Sequence, residues 1–380
     1  MKLAHFDIDL FLRDYWQKKP LLIRNPWDHW TNPLEPDELA GLACEEGVES
    51  RLVVRQGEQL ALEAGPLPEE RFGQLDGDSC TLLVQAVDHY VADVAALIEP
   101  FRFVPDWRID DVMVSWAANG GGVGPHFDQY DVFLVQGLGR RRWRIGPVCD
   151  STTPLQNNDD LRLIADFAAT DEWVLEPGDI LYVPPRFAHD GVAVSDDCMT
   201  YSIGFRAPSL AELVEGWCEH QADASPDEER FADPDLVRQA NAGEIAPAAR
   251  DRLYAMVSQA LADRPAFDRW FGCHATQPKY PDIDWRPDEA LDEDEVLAQM
   301  AAGTPLVRNP ASRFAFTRSG DGSVVLFVDG EAFECAGDLA EFAQDLCAAT
   351  TVQAPAASAE VAALVATLVN RGSLAFEEAE

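Results

Sequence analysis

Lysine is almost absent from this sequence, where Lys2, Lys18, Lys19 and Lys279 are the only four in 380 residues. Basic residues number 29 against 67 acidic ones, which gives a formal net charge of −38. Nucleic-acid binding depends on neutralising phosphates, so this charge argues against nucleic acid as a direct ligand. It favours a basic protein partner attracted over long range. A high-salt habitat explains the same composition, and the sequence leaves both explanations open.

Paired cysteine motifs and long apolar runs are also missing. None of the eight cysteines belongs to a Cys-x-x-Cys pair, so neither a zinc ribbon nor a redox motif is indicated. We expect free thiols in a reducing cytoplasm rather than a disulfide framework. No run of about 18 apolar residues predicts a membrane span. The acidic, interrupted N-terminus is unlike a signal peptide, so we expect a cytoplasmic protein without membrane association.

The chain is long enough for more than one domain, with 380 residues of which 47% are hydrophobic. Up to about residue 100, helix and strand signals are mixed. The segment 81–96 carries apolar residues at helical spacing and is predicted as a helix. From about residue 111 to 205, short strands punctuated by Gly and Pro are typical of a β-sandwich or jelly roll. The predicted strands there are 112–116, 131–136, 141–145, 173–175, 180–183 and 199–205.

Helical signals dominate from residue 209 to about 271, and a linker is predicted at 281–287. The last hundred residues are predicted to hold helices at 293–302, 339–348 and 361–370, a hairpin at 314–317 and 324–328, and a strand at 373–376. This order fits a winged helix, which is normally a DNA-binding fold. However, residues 281–380 hold five Arg or Lys against nineteen Asp or Glu. We therefore favour a docking or structural role for this part of the chain.

A candidate metal site is indicated by the segment GGVGPHFD at residues 121–128. On a strand, His126 and Asp128 would share one face because strand side chains alternate. His189 follows a Pro-Gly-Asp turn, a buried strand and Pro184-Pro185, which direct it towards the barrel mouth. Two imidazoles and one carboxylate leave three open positions on octahedral Fe(II), as non-heme oxygenases require. The alternative is a pair of histidines that only pack in the core.

An arginine-rich segment, Gly139 to Ile145, follows the first two candidate ligands. Alternation puts Arg141, Trp143 and Ile145 on one strand face, which the aromatic and aliphatic residues mark as the core face. A buried cation needs an anion. A dicarboxylate cosubstrate, held by the planar guanidinium through two hydrogen bonds, would supply it. An internal salt bridge is the alternative.

Small hydroxyl side chains are candidates for contacts to the same anion. Thr200 and Ser202 share the strand face opposite Tyr201 and Ile203, and Ser115 occupies a similar position on its own strand. Their spacing is compatible with a role in binding and equally with ordinary packing.

Together these segments resemble the JmjC-type Fe(II)/2-oxoglutarate oxygenases, in particular the ribosomal oxygenase branch. The motifs that carry the resemblance lie at residues 11–24, 121–145, 176–189 and 201–208. The similarity continues into the helical region and the acidic tail.

The resemblance implies an α+β protein with a double-stranded β-helix core of the jelly-roll, JmjC/cupin kind. Residues 1–208 would form the oxygenase domain, with its core from about 95. Residues 209–280 would form a helical dimerisation region that makes the protein a homodimer, and residues 281–380 a winged-helix domain.

The resemblance also implies the site chemistry. His126, Asp128 and His189 would hold Fe(II), Arg141 would bind a carboxylate of 2-oxoglutarate, and O₂ would be the second cosubstrate. Within the branch, the chain is most similar to enzymes that hydroxylate C3 of an arginine in large-subunit ribosomal protein 16, with release of succinate and CO₂.

Two other functions remain open from the sequence. One is hydroxylation or demethylation of another basic protein. The other is a catalytically silent metal-binding cupin that assists ribosome assembly.

Overall fold

The computed structural model describes residues 1–57, 59–75, 79–156, 161–226, 228–355 and 358–377. Its helices are α1 Ile8–Asp14, α2 Pro36–Leu42, α3 Ala92–Ala95, α4 Leu210–Ala224, α5 Pro247–Leu261, α6 Arg264–Ala275, α7 Glu293–Ala302, α8 Asp338–Ala348 and α9 Ala359–Asn370. Its strands up to residue 205 are β1 Leu21–Ile23, β2 Ser50–Gln56, β3 Gln59–Ala64, β4 Cys80–Val84, β5 Ile109–Ala117, β6 Asp131–Leu138, β7 Arg141–Val148, β8 Asp171–Leu175, β9 Ile180–Val183, β10 Phe187–Ala193 and β11 Cys198–Phe205. The later strands are β12 Leu306–Arg308, β13 Phe314–Arg318, β14 Val324–Val328, β15 Glu331–Cys335, β16 Thr351–Val352 and β17 Leu374–Phe376.

Two antiparallel sheets form the β-rich part of the chain. The large one has eight strands in the order β1-β9-β6-β11-β5-β4-β2-β3, and the small one has the order β10-β7-β8. Apolar side chains of β6 and β9 meet Trp143, Ile145 and Leu175 of the small sheet in one buried cluster. The predicted jelly-roll core is confirmed, with its interior between these two sheets.

The outer face of the large sheet is covered by aromatic residues from the N-terminal extension. The Phe11 ring of α1 lies edge-on to Tyr182 of β9 at 4.8 Å and 5.4 Å from Phe133 of β6, between ring centroids. Phe11, Phe133 and Tyr182 are fully buried. Each large side chain removed from water stabilises the fold by about 1.5–3 kcal/mol. This packing fixes the central strands, which carry polar residues on their opposite face.

The predicted helix over residues 81–96 is wrong. Residues Cys80–Val84 form β4, which pairs with β2 on one side and β5 on the other. Short helical turns follow at Val87–His89 and Ala92–Ala95. The apolar spacing fits a helix, but pairing with two neighbouring strands outweighs local preference. The predicted strands between residues 112 and 205 are confirmed within β5, β6, β7, β8, β9 and β11.

The winged-helix fold of the C-terminal part is confirmed. Helices α7, α8 and α9 pack around one buried cluster with the sheet β13-β14-β15, of which only the first two strands were predicted. The Arg102 guanidinium donates to the carbonyl oxygens of Cys347 (2.7 Å) and Ala348 (3.0 Å) at the end of α8. Carbonyls at a helix C-terminus lack intrahelical partners, so this contact fastens the C-terminal part to the oxygenase core.

The remaining predictions concern the cysteines, membrane-spanning helices and the domain boundaries. All eight cysteines lie among the described residues and are free thiols, as expected. In the part of the chain that the structure describes, no helix is long and apolar enough to cross a membrane. The domain boundaries at 208 and 280 and the dimerisation role of the helical region stay predictions.

Gly272 of α6 provides a test of how the C-terminal part docks. A Cβ at this position would lie 2.3 Å from the Phe327 ring, whereas a Cβ at helical Gly41 would meet nothing within 4 Å. We expect Gly272→Ala to lower the free energy of unfolding by about 1–3 kcal/mol through overpacking. Gly41→Ala should be neutral or stabilising by up to about 1 kcal/mol because alanine favours helix. Thermal and denaturant unfolding measure both, and equal stability of the two variants would contradict the packing argument.

Candidate metal and cosubstrate site

The glycines before His126 are required by close backbone contacts. A Cβ at Gly121 would lie 2.2 Å from the carbonyl oxygen of Cys80, and one at Gly122 would lie 2.4 Å from that of Gly191. No side chain fits at either position, which explains why the sequence uses glycine there. The absence of side chains at these two positions lets the segment between β5 and β6 pack closely against β4 and β10.

His126 and His189 are joined by a two-residue antiparallel bridge. The His126 amide donates to the His189 carbonyl (3.0 Å), and the His189 amide donates back (2.9 Å). Their rings lie 4.3 Å apart between centroids. The prediction that His126 and Asp128 lie on a strand is wrong, because both lie in the connection before β6 and only His126 makes this isolated bridge. The pairing of this segment with β10, rather than alternation along a strand, positions His126, the first candidate ligand.

The three predicted ligands converge. Oδ2 of Asp128 lies 3.5 Å from Nε2 of His189 and 4.0 Å from Nε2 of His126. One ligand atom from each residue can be chosen so that all lie within 4.8 Å of one another. Atoms bound to a common ion at about 2.1 Å lie roughly 3–3.5 Å apart. Ligand atoms that are up to 4.8 Å apart must therefore approach one another by roughly 1–2 Å to share an ion.

Both imidazoles are held in the tautomer that metal binding requires. Nδ1 of His126 lies 2.9 Å from the carbonyl of Gly124, and Nδ1 of His189 lies 3.0 Å from the carbonyl of Phe187. A carbonyl only accepts, so each Nδ1 carries the hydrogen and each Nε2 lone pair is free for an ion. Burial, together with the nearby His126, lowers the pKa of His189 to about 4, which keeps its imidazole neutral near pH 7. The donor set fits a divalent transition metal.

The predicted site residues all line one cavity of about 990 Å³ that opens from the barrel. These are the three candidate ligands and the four polar residues predicted to bind the cosubstrate: His126, Asp128, His189, Arg141, Ser115, Thr200 and Ser202. Ser115 of β5 is directly opposite Thr200 of β11 in the strand register. The Thr200 hydroxyl lies 3.3 Å from Oε1 of Gln136 and donates to it.

Arg141 is a buried cation in this cavity, only 5% exposed. Across the described residues no carboxylate lies within ion-pair distance of it, and its Nη2 is buried without a hydrogen-bond partner. Its Nε lies 3.5 Å from Sγ of Cys198, and its guanidinium is 5.8 Å from the centre of the Trp143 ring. Arg141, Trp143 and Ile145 share the buried face of β7, as predicted. The internal salt bridge is absent from the described structure, which favours the anionic ligand.

Sequence patterns did not predict several elements and residues at the cavity. Strand β10, which carries His189, was not predicted, although it pairs with β7 from Phe187 to Ala193. Gln136, which accepts a hydrogen bond from the cavity residue Thr200, is a polar residue within the apolar run 132–138 of β6, a pattern that signals a buried hydrogen-bonding role. Asp110 lines the far wall, where Lys279 and Arg313 each lie 2.8 Å from its carboxylate. Burial disfavours its charge, but these two cations outweigh burial and lower its pKa.

Comparison with protein families identifies the class of protein that this fold and site define. Residues 96–213 match the model of the JmjC domain, and residues 259–375 match that of the ROXA-like winged helix. The first match contains all three candidate metal ligands and Arg141. The second covers the end of the helical region and most of the acidic tail. The chain therefore has the domain composition of an Fe(II)- and 2-oxoglutarate-dependent oxygenase with a C-terminal winged helix.

Comparison with individual relatives identifies the family within this class of oxygenases. The ribosomal protein uL16 3-hydroxylase of Escherichia coli is 41% identical over 299 residues, covering 76% of this chain and 79% of the relative. An X-ray structure of E. coli YcfD matches with a TM-score of 0.90 and 35% identity over 99% of this chain and 100% of that one. A structure of the ribosomal oxygenase YcfD in complex with cobalt and 2-oxoglutarate matches with a TM-score of 0.87 and 36% sequence identity, over 99% of both chains. The chain belongs to the JmjC-type ribosomal oxygenases.

The role of Asp128 as a ligand is testable by metal binding. Asp128→Ala removes the carboxylate that faces both Nε2 atoms, so we expect binding of Co(II) or Mn(II) to weaken by at least about tenfold. Calorimetry on chelator-treated protein measures this change. The matched control is Asp166→Ala, an exposed carboxylate outside the cavity. Equal metal affinity of the Asp128 variant and the wild type would remove Asp128 from the ligand set.

Proposed function

We propose that this protein hydroxylates C3 of an arginine in ribosomal protein uL16, with conversion of 2-oxoglutarate and O₂ to succinate and CO₂. The observation that carries the proposal is the combination, in one cavity, of two imidazoles, a carboxylate and an arginine that has no carboxylate partner among the described residues. The relative named uL16 3-hydroxylase supports the choice of substrate. The protein would act in the cytoplasm, on a soluble ribosomal substrate.

The ligand roles follow from the chemistry of the side chains. His126, Asp128 and His189 would hold Fe(II), which supplies oxidative decarboxylation of 2-oxoglutarate and oxygen insertion into a C–H bond. Arg141 binds the carboxylate at the far end of the cosubstrate, because its unpartnered Nη2 and full charge favour a carboxylate oxygen. Ser115, Thr200 and Ser202 contribute hydroxyl groups to the same wall. Apolar contacts of Trp143 and Ile145 exclude water from the closed end.

The net charge of the chain supports a basic substrate. The far wall of the cavity includes Glu212, and it includes Asp110, which is already paired with Lys279 and Arg313. Glu212 has a lowered pKa because the backbone and hydroxyl of Ser209 hydrogen-bond to its carboxylate, so both side chains are ionised near neutral pH. The net charge of −38 adds long-range attraction for a basic ribosomal protein.

The test is incubation of purified protein with Fe(II), 2-oxoglutarate and uL16 peptides, followed by mass spectrometry. We expect one oxygen atom to be added at arginine and none when that arginine is replaced by lysine. Arg141→Ala should raise the KM for 2-oxoglutarate by roughly tenfold or more, since a charge-assisted hydrogen bond contributes about 1.5–3 kcal/mol. Arg140→Ala, an exposed neighbour outside the cavity, is the control.

Other outcomes discriminate the remaining functions. Succinate release with no oxygen in any peptide would exclude the hydroxylase. Formaldehyde release from a methylated basic peptide would indicate demethylation. No succinate at all, with metal bound, would support the silent cupin.

We also propose that the helical region forms a homodimer. Its helices α4 and α5 expose large apolar side chains, including Leu210 (78% exposed), Tyr254 (77%) and Val257 (61%). The connection between the helices adds Leu236, Val237 and Ile245 to the exposed apolar surface. Large exposed apolar side chains concentrated in one region of the chain favour a protein interface there. A second copy is the occupant that the family resemblance implies.

Light scattering tests the dimer at micromolar concentration. We expect wild-type protein at twice the chain mass and Tyr254→Asp/Val257→Asp as a monomer, because buried unpaired charges are costly. Gln259→Asp places a similar charge at another exposed position of α5 and should remain dimeric. A monomeric wild-type protein would contradict the proposal.

A further inference from the structure

Among the described residues, the guanidinium of Arg141 contacts a sulfur atom and pairs with no carboxylate. Its Nε–H is directed at Sγ of Cys198 at 3.5 Å. Cys198 is fully buried and begins β11. A thiol sulfur is a weak, uncharged acceptor. It can therefore orient the guanidinium without neutralising the charge that a carboxylate ligand needs.

Gln136 holds that sulfur from the other side. Its fully buried side-chain amide nitrogen lies 3.4 Å from Sγ of Cys198, 2.7 Å from the Leu138 carbonyl and 3.0 Å from the Met199 carbonyl. Two carbonyl acceptors fix which end of the amide carries hydrogens. The amide oxygen consequently faces Thr200 and accepts its hydroxyl hydrogen at 3.3 Å.

The space around this contact is kept open by small residues. Ala117, Ala193 and Cys198 form a separate buried cluster beside the cavity. Ala193 is the register partner of Arg141 across the β10–β7 pair, and Ala117 is that of Cys198 across β11–β5. Three strands thus contribute small side chains at the position where the arginine crosses the barrel interior.

We infer that Cys198 and Gln136 are positioning residues of the cosubstrate site. Cys198 occupies the Nε–H of Arg141, so that the terminal nitrogens remain available to the distal carboxylate of 2-oxoglutarate. The Gln136 amide nitrogen directs its two hydrogens to the Leu138 and Met199 carbonyls and packs against the sulfur. Its amide oxygen takes the Thr200 hydroxyl hydrogen, which leaves the Thr200 oxygen as an acceptor towards the cavity. Neither residue is among those that line the cavity. The inference rests on the proposed role of Arg141.

The central comparison is between Cys198→Ala and Cys198→Ser. Titration of 2-oxoglutarate into Co(II)-loaded protein gives its Kd, and succinate formation gives KM and kcat with Fe(II). We expect Cys198→Ala to raise Kd and KM by roughly fivefold, the size of one hydrogen bond, with kcat unchanged at saturation. Cys198→Ser keeps an acceptor and should stay within about twofold of the wild type. Gln136→Leu should resemble Cys198→Ala.

Cys335→Ala is the matched control, because Cys335 is a similarly buried thiol in the C-terminal core, away from the cavity. It should change thermal stability only. A Cys198→Ala protein that loses stability while its Kd is unchanged would reduce Cys198 to a packing residue and overturn the inference. A serine variant as weak as the alanine variant would overturn the hydrogen-bonding role.

Arg141→Ala separates this inference from the cosubstrate assignment on which it rests. If Arg141→Ala weakens 2-oxoglutarate binding and Cys198→Ala does not, the positioning role alone is wrong. If neither weakens it, the assignment of Arg141 is wrong as well.

Discussion

The backbone bridge between His126 and His189 is the constraint on which the site depends. Two amide–carbonyl hydrogen bonds join a connection segment to a strand more than sixty residues later, so both imidazoles arise from one small piece of ladder. Strand β10 is in turn held by β7, which carries Arg141. The glycines at 121 and 122 permit the approach and exclude side chains that would widen it. The arrangement of the two candidate imidazole ligands is thus set largely by the main chain.

The second constraint is electrostatic. Within the part of the chain that the structure describes, Arg141 is buried without a counter-ion, which costs free energy, and aromatic and sulfur contacts offset part of that cost. An acid at this position would stabilise the empty protein but would compete with a dicarboxylate ligand. The same barrel interior therefore combines an apolar end, formed by residues such as Leu181 and Val183, with one strongly unsatisfied cation. Binding function and stability are in opposition at this residue.

Sequence periodicity predicted the central strands because burial on both faces makes them continuous apolar runs, and alternation correctly placed Arg141 beside Trp143. Sequence periodicity failed where the pairing of strands distant in sequence decides the secondary structure. The spacing of apolar residues in 81–96 fits a helix, yet its first four residues belong to β4, which pairs with β2 and β5. Strand β10 was missed because two prolines precede it and Gly191 interrupts it. Cys198 and Gln136 meet only through the register of β6 and β11, which no local pattern encodes.

One wall of the cavity is formed by residues that lie outside the oxygenase core. Gln277 and Arg313, from beyond the jelly roll, line the same space as the metal ligands, and Arg313 is paired with Asp110 of β5. An oxygenase domain excised at residue 208 would keep every candidate ligand of the iron and of the cosubstrate, but it would lose this wall. The winged-helix domain is therefore part of the architecture of the cavity and not an appendage to it.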